Sequence, residues 1–145
     1  YAYKLNDQGA QIRLRSNLQL SDQALLPQER MAIGGNYSVR GYRENELVRD
    51  NGYSGSLELH YPLFSFPGRF ANSLSIVPFM DYGLGWNYQQ QTDELHSVGV
   101  GLNWQAFGHV TAEIYYAHDL ITATAKEVHN LQDDGVHFNV SFYAF

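Results

Sequence analysis

One arginine stands out as a candidate for strong ionic chemistry, because it lies in a glycine-flanked part of a long polar segment. Arg40 belongs to the run Val39-Arg40-Gly41-Tyr42. Its guanidinium is a planar fork of N–H donors that can bind both oxygens of a carboxylate. Gly34 and Gly35 permit a sharp chain reversal upstream, and Gly41 allows the backbone to approach another surface closely. Tyr42 could stack or donate a hydrogen bond there. Taken alone, the tetrapeptide could equally be an exposed loop with a solvated arginine.

The residues that usually carry catalysis show no recognisable arrangement. The sequence has no Gly-x-Ser-x-Gly elbow, phosphate loop or His-Glu-x-x-His pair, and its six histidines are scattered. Glu58, His60 and Glu113 fall on the polar faces of their predicted strands and resemble acid–base groups. We interpret them instead as polar residues of the sheet that face water or the long loop. An outer-membrane hydrolase would need a Ser–His pair near one rim, and we find no convincing pair. We therefore predict that the protein is not an enzyme and has no cofactor.

Composition restricts the partners. The chain has 145 residues, no cysteine and a net charge of −6 with nine Lys and Arg. The absence of cysteine excludes disulfides and thiolate metal sites, and we predict no metal. So few basic residues in an acidic chain make nucleic-acid binding unexpected. There is no run of eighteen apolar residues that could form a spanning helix.

Alternating apolar and polar residues predict an all-β chain of about six antiparallel strands, because every second side chain of a strand shares a face. The predicted strands are residues 10–20, 55–63, 73–83, 96–104, 109–118 and 136–142. The later pattern Phe79-x-Asp81-x-Gly83 lies inside one of them, with all three residues on one face. Charge should be poorly tolerated on the apolar faces, at Leu59, Val100 or Ile114, and well tolerated at Ser97 or Asn103.

Strand length distinguishes a transmembrane barrel from a soluble sandwich, which alternates in the same way. Several strands approach ten residues, enough to cross a bilayer when tilted, whereas soluble strands are commonly about five or six residues long. Connections alternate between short turns and long loops, with the longest at residues 21–54, and aromatic residues lie near strand ends. These features favour a membrane barrel with a charged, plug-like loop over a soluble enzyme.

The two ends of the sequence predict a fragment. The last strand closes on Phe145, which resembles the C-terminal signal by which barrel-assembly machinery recognises outer-membrane proteins. The start at Tyr1 reads as the tail of a strand. Six strands and a stub do not close a barrel wide enough for a channel, and open edges are not tolerated in lipid. We therefore expect residues 1–145 to be the C-terminal portion of a larger outer-membrane barrel domain.

Two motifs and their surroundings resemble one family. The stretch from Leu25 to Gly35, the run Val39-Arg40-Gly41-Tyr42 and the pattern Phe79-x-Asp81-x-Gly83 occur in the order found in two-partner secretion transporters, the haemolysin secretion/activation proteins of the POTRA-bearing outer-membrane superfamily. The resemblance covers essentially the whole chain.

The resemblance implies both an architecture and a function. It implies a larger closed barrel preceded by periplasmic POTRA domains, with the loop 21–54 folded into the lumen. There the motif containing Arg40 would contact the wall motif containing Asp81. The expected partners are a secreted polypeptide, outer-membrane lipid and the barrel-assembly machinery, in the outer membrane of a Gram-negative bacterium. An assembly factor that inserts other outer-membrane proteins and a passive porin are the alternatives, although a porin should lack both motifs.

Overall fold

A seven-stranded antiparallel sheet forms the structure, a computed structural model that describes residues 1–66, 72–121 and 135–143. The strands in chain order are β1 (Ala2–Lys4), β2 (Gln11–Gln19), β3 (Met31–Ile33), β4 (Leu47–Arg49), β5 (Asn51–Phe66), β6 (Asn72–Trp86), β7 (Thr92–Ala106), β8 (Val110–Asp119) and β9 (Val136–Phe142). The large sheet has the order β1-β2-β5-β6-β7-β8-β9, and β3 and β4 form a separate hairpin. In the part of the chain described, no helix is long and apolar enough to cross a membrane.

The prediction of an all-β antiparallel chain is confirmed, but the central strands are longer than predicted. Strands β5, β6 and β7 contain 16, 15 and 15 residues. Most of their extra residues lie towards the rim that carries the long loop, where glycines such as Gly52 and Gly85 interrupt the alternation of polarity, and the others lie at the opposite ends of the strands. The predicted connection 84–95 consequently shrinks to residues 87–91, and the long loop runs from residue 20 to residue 50.

Strand register gives the sheet two different faces. Directly paired residues on antiparallel strands point to the same side, and the pairs Leu57↔Met80 and Met80↔Val98 are apolar. Many large apolar side chains on this outer face are exposed: Leu14, Leu18, Leu57, Leu59, Met80, Val98, Val100, Leu102, Trp104, Ile114, Tyr116, Phe138, Val140 and Phe142. A sheet face this apolar and this exposed matches the outer surface of a membrane barrel.

The long loop packs against the opposite, inner face, where buried side chains form two clusters. One buried cluster joins the loop to β7 and contains Ile33, Val39, Tyr42, Leu47 and Leu95. A second lies on the wall itself and contains Val77, Phe79, Tyr115 and Ala117. The prediction of an inward-folded loop is therefore confirmed, and the tip of the loop lies against the inner face of strands β5 to β8.

Candidate functional site

The loop tip is shaped by two glycines that follow the β3 strand. Gly34 and Gly35 have φ values of +116° and +90°, a region that side-chain-bearing residues rarely adopt. A Cβ at Gly34 would lie 2.5 Å from the carbonyl oxygen of Arg43. The Ser38 hydroxyl closes the turn by accepting a hydrogen bond from the Gly34 amide at 2.7 Å and donating to the Gly34 carbonyl at 2.9 Å. This reversal directs the next residues towards the wall.

Arg40 enters the wall and binds Asp81 through a bidentate contact. Its Nε donates to Asp81 Oδ2 at 2.8 Å and its Nη2 donates to Asp81 Oδ1 at 2.7 Å. The Arg40 backbone amide adds a third hydrogen bond to Oδ2 at 3.0 Å. The exposed fractions of the two side chains are 2% and 0%. Such a charge-assisted fork fixes both distance and orientation, so the contact sets the position of the loop tip.

Neighbouring β5 supplies further partners to the same guanidinium. Nη1 of Arg40 lies 2.8 Å from Glu58 Oε1, and Nη2 also donates to the Ser56 hydroxyl at 2.8 Å. His60 Nε2 lies 2.8 Å from the other oxygen of Glu58. All three guanidinium nitrogens are thus engaged. Two carboxylates, those of Asp81 and Glu58, face this one arginine, so the buried cluster carries no net positive charge.

Two aromatic rings on the wall enclose the guanidinium. The Cζ atom of Arg40 lies 3.5 Å from the ring centre of Phe79 and 4.9 Å from that of Tyr115. The two rings meet edge to face at 5.8 Å. They lie over Gly99 and Gly101 of β7, where a side-chain carbon would collide with the Phe79 and Tyr115 rings respectively. The rings exclude water and add cation–π attraction to the ion pairs.

The other residues of the loop motif contact different parts of the wall. Val39 is fully buried and packs against Gly83, while Gly41 lies against Ala117 and donates its amide to His137 Nε2 at 3.3 Å. The Tyr42 hydroxyl reaches two backbone carbonyls, at 2.9 Å from the oxygen of His96 in β7 and 2.8 Å from that of Ile121, which follows β8. Each residue of the tetrapeptide therefore has its own contact on the inner face.

Burial and charge both affect the titration of the loop tip. Burial lowers the pKa of Arg40, but the hydrogen bonds and negative charge of Asp81, together with the charge of Glu58, outweigh that effect and leave the pKa raised. Burial also raises the pKa of the Tyr42 hydroxyl. Arg40 therefore stays charged and Tyr42 stays neutral at physiological pH, so the contacts of the loop tip do not depend on the titration of these two residues.

A second polar cluster fastens the base of the loop at the rim. Asp50 is 1% exposed and lies between β4 and β5. Its Oδ1 accepts from the Leu25 amide at 3.1 Å and lies 3.0 Å from Arg30 Nε, and its Oδ2 accepts from the Tyr88 amide at 3.0 Å. These bonds, with the Tyr88 hydrogen bond as the largest contribution, lower the pKa of Asp50. The base and the tip of the loop are therefore held by separate sets of contacts.

Most residues singled out from the sequence meet in one place. Arg40 and Asp81 are in contact, Gly83 makes room for Val39, and the turn glycines stand behind them. Phe145 lies outside the described residues. The sequence placed Glu58 on the correct face but did not identify it as a partner of Arg40. Sequence reasoning also missed Ser56, Tyr115, His137, Gly99 and Asp50.

The carboxylates at the centre of the site are engaged in holding the loop through Arg40. In the described ranges, no group of three or more His, Cys, Asp or Glu side chains could hold a metal ion. The two carboxylates nearest the centre are already bound to a guanidinium, so a cation would have to displace Arg40. The arrangement fixes the loop tip against the wall through several hydrogen bonds from one guanidinium.

Comparison with known families identifies the chain. A model of the family described as haemolysin secretion/activation protein ShlB/FhaC/HecB matches residues 1–105. The chain belongs to this family. The matched region contains both the loop motif and the wall motif, so the resemblance drawn from them is confirmed. Haemolysin secretion/activation proteins are outer-membrane transporters of Gram-negative bacteria of the two-partner secretion type, and the sheet is correspondingly part of an outer-membrane β-barrel. No curated protein and no solved structure gives a significant match.

Proposed function

We propose that the chain is the C-terminal part of a barrel that passes an unfolded exoprotein of the adhesin or haemolysin type from the periplasm to the cell surface. POTRA domains upstream would deliver the exoprotein, and Phe145 would direct insertion by the barrel-assembly machinery. The loop 20–50 acts as a plug whose tip is latched by Arg40 and Asp81. The passage opens when this latch is released.

The burial of the Arg40–Asp81 pair is the observation that carries the proposal. An ion pair out of water is weak evidence for stability, because desolvation offsets much of its Coulombic gain. Removing one of the two charged side chains is costly, however, at about 3–5 kcal/mol, because the other charge stays buried without a partner. Such a pair specifies one position of the loop strongly and resists partial displacement. These are the properties that a plug with a defined closed state requires.

The test is a double-mutant cycle in the full-length transporter expressed with its exoprotein. Arg40→Ala and Asp81→Ala should each increase trypsin cleavage after Arg43 while the barrel still inserts. Secretion should fall in both, because the plug then lacks the defined closed position from which the exoprotein opens it. The double variant should lose less than the sum of the two single losses, with a coupling of about 0.5–3 kcal/mol.

A matched control comes from the same loop. Arg49 lies 2.7 Å from Asp93 Oδ2, but its side chain is 27% exposed and that of Asp93 is 50% exposed. Arg49→Ala should therefore cost only the roughly 0–1 kcal/mol of an exposed pair. Strict additivity of the Arg40 and Asp81 losses would refute the latch. Loss of other outer-membrane proteins from the membrane, with secretion unaffected, would instead support an assembly factor.

A further inference from the structure

Release of the loop tip leaves a charge problem on the wall. Glu58 belongs to β5 and remains in place when Arg40 withdraws. In the closed state its two oxygens face Arg40 Nη1 and His60 Nε2, each at 2.8 Å, and its side chain is only 14% exposed. Withdrawal of Arg40 removes the permanent cation from this carboxylate. With His60 as its remaining partner, this largely buried carboxylate would oppose opening.

A second arginine lies beside Glu58 on the side away from Asp81. Arg13 of β2 is the direct antiparallel partner of Glu58, so both side chains point to the inner face. Their Cβ atoms are therefore about 4.5–5.5 Å apart, which the long side chain of arginine spans easily. Arg13 is exposed, and among the described residues it makes no ion pair with a carboxylate.

We propose that Arg13 takes over Glu58 when Arg40 leaves, so that the two arginines exchange on one carboxylate as the loop opens. This inference rests on the proposed function, because it requires a released state of the loop. In the closed state, Arg40 and His60 occupy Glu58, and a second guanidinium there would meet the positive charge of Arg40. In the open state, Arg13 restores the missing cation. Arg13 is thus a positioning residue that stabilises the open loop.

Arg15 provides a matched control on the same strand and face. It pairs directly with Ser56, which carries no charge, and it is also exposed. Arg15→Gln removes the same charge from the same wall as Arg13→Gln does. A general electrostatic effect, such as repulsion of Arg40 or attraction of an acidic passenger chain, would act on both variants. A specific exchange acts on Arg13→Gln alone.

The experiment measures loop opening directly, without relying on secretion. Val39 is fully buried in the closed state, so a thiol introduced by Val39→Cys reports release through its rate of reaction with a maleimide. The reporter is placed in the full-length transporter with no other cysteine, in outer-membrane vesicles. Arg13→Gln should slow labelling by up to about fivefold, the range expected for one cross-strand ion pair. Arg15→Gln should change the rate much less, and Arg13→Lys should restore part of it.

The background Glu58→Gln decides the mechanism. If Arg13 acts through Glu58, Arg13→Gln should have no further effect on labelling in that background. An unchanged rate in Arg13→Gln, equal effects of Arg13→Gln and Arg15→Gln, or an effect that persists in Glu58→Gln would each overturn the exchange. Failure of the proposed function looks different, because Arg40→Ala would then leave labelling at position 39 unchanged. Faster labelling in Arg40→Ala with no response to Arg13→Gln would overturn the exchange alone.

Discussion

Gly83 of the wall and Val39 of the loop tip are in such close contact that no side chain fits between them. A Cβ built at Gly83 would lie 2.7 Å from Val39 Cγ2 and 2.7 Å from Ile33 Cγ2. Both loop residues are fully buried. The glycine of the wall pattern is therefore a seat for the loop, placed two residues beyond the aspartate that binds Arg40.

Gly83→Ala should therefore lift the loop tip from the wall. Overpacking of a filled core costs about 1–3 kcal/mol, and here the loop is the part that can move. We expect faster trypsin cleavage after Arg43, with barrel insertion unaffected. Gly85→Ala is the comparison on the same strand and face, because its Cβ would meet Arg49 Cγ at 2.9 Å, at the base of the loop and not at its tip. Equal loop exposure in both variants would show that Gly83 has no seating role.

Sequence patterns predicted the faces of the strands better than their partners. Alternation identified the inner positions of β5 and β6, because period two is a local property. The contact between Arg40 and Glu58 depends on the register between strands and on how deep the loop reaches. The alternation of polar and apolar residues indicates neither the register nor the depth of the loop, so Glu58 was interpreted only as a polar wall residue.

The sequence also failed to predict the ends of the strands and the role of the wall glycines, for a related reason. Gly99 and Gly101 look like weak strand positions, since glycine disfavours strands. The structure shows their role, which is to leave room for the rings of Phe79 and Tyr115 that lie over them. In contrast, the pairing of Arg40 with Asp81 was anticipated through the family resemblance, since two distant motifs carry no local signal of contact.

Tyr42→Phe should loosen the loop although the ring can still pack with Ile33 and Leu95. The hydroxyl bridges the backbone of His96 and Ile121, donating to a carbonyl and lying 3.2 Å and 3.3 Å from their amides. The variant loses these bonds at partly buried backbone groups, while the His96 carbonyl keeps its bond from the Leu120 amide at 2.8 Å, so the cost should be about 0.5–1.5 kcal/mol. The measurement is urea-dependent protease protection of the loop. Tyr37→Phe is the control, because Tyr37 is 71% exposed, and a comparable loss there would argue against the bridge.

Arginine introduced on the outer face should impair membrane insertion. Leu59, Val100 and Ile114 are exposed on that face at 36%, 41% and 50%, as the alternation predicted. An arginine near the bilayer midplane costs about 2–4 kcal/mol. Heat-modifiable migration of the folded barrel in detergent gels, and its yield in outer membranes, report the effect.

The inner-face control for these variants must be chosen from the structure. The sequence suggested that charge would be tolerated at Ser97 and Asn103, but they are 1% and 9% exposed beneath the loop side of the sheet. A buried position cannot accept an arginine without displacing its neighbours, so the structure favours a cost at both positions. Asn17→Arg on the exposed part of the inner face is the appropriate control. Similar insertion of Asn17→Arg and Leu59→Arg would contradict the assignment of the faces.

Acid should open the base of the loop only at low pH, because Asp50 holds it as a carboxylate. The Tyr88 amide, followed by Leu25 and Arg30, keeps the pKa of Asp50 below its ordinary value of 3.8. A carboxyl group with a depressed pKa stabilises the folded state fully above its unfolded pKa, and this contribution is lost as the pH falls through the folded pKa. Pepsin, which is active in acid and cuts beside leucine, should cleave between Leu25 and Leu26 only below about pH 4, near the ordinary pKa of aspartate. Asp50→Asn should allow cleavage throughout the active range of pepsin, whereas Asp22→Asn, which alters an exposed carboxylate in the same loop, should behave like the unmodified protein. Retention of the acid step in Asp50→Asn would assign it to another group and remove Asp50 from the base of the loop.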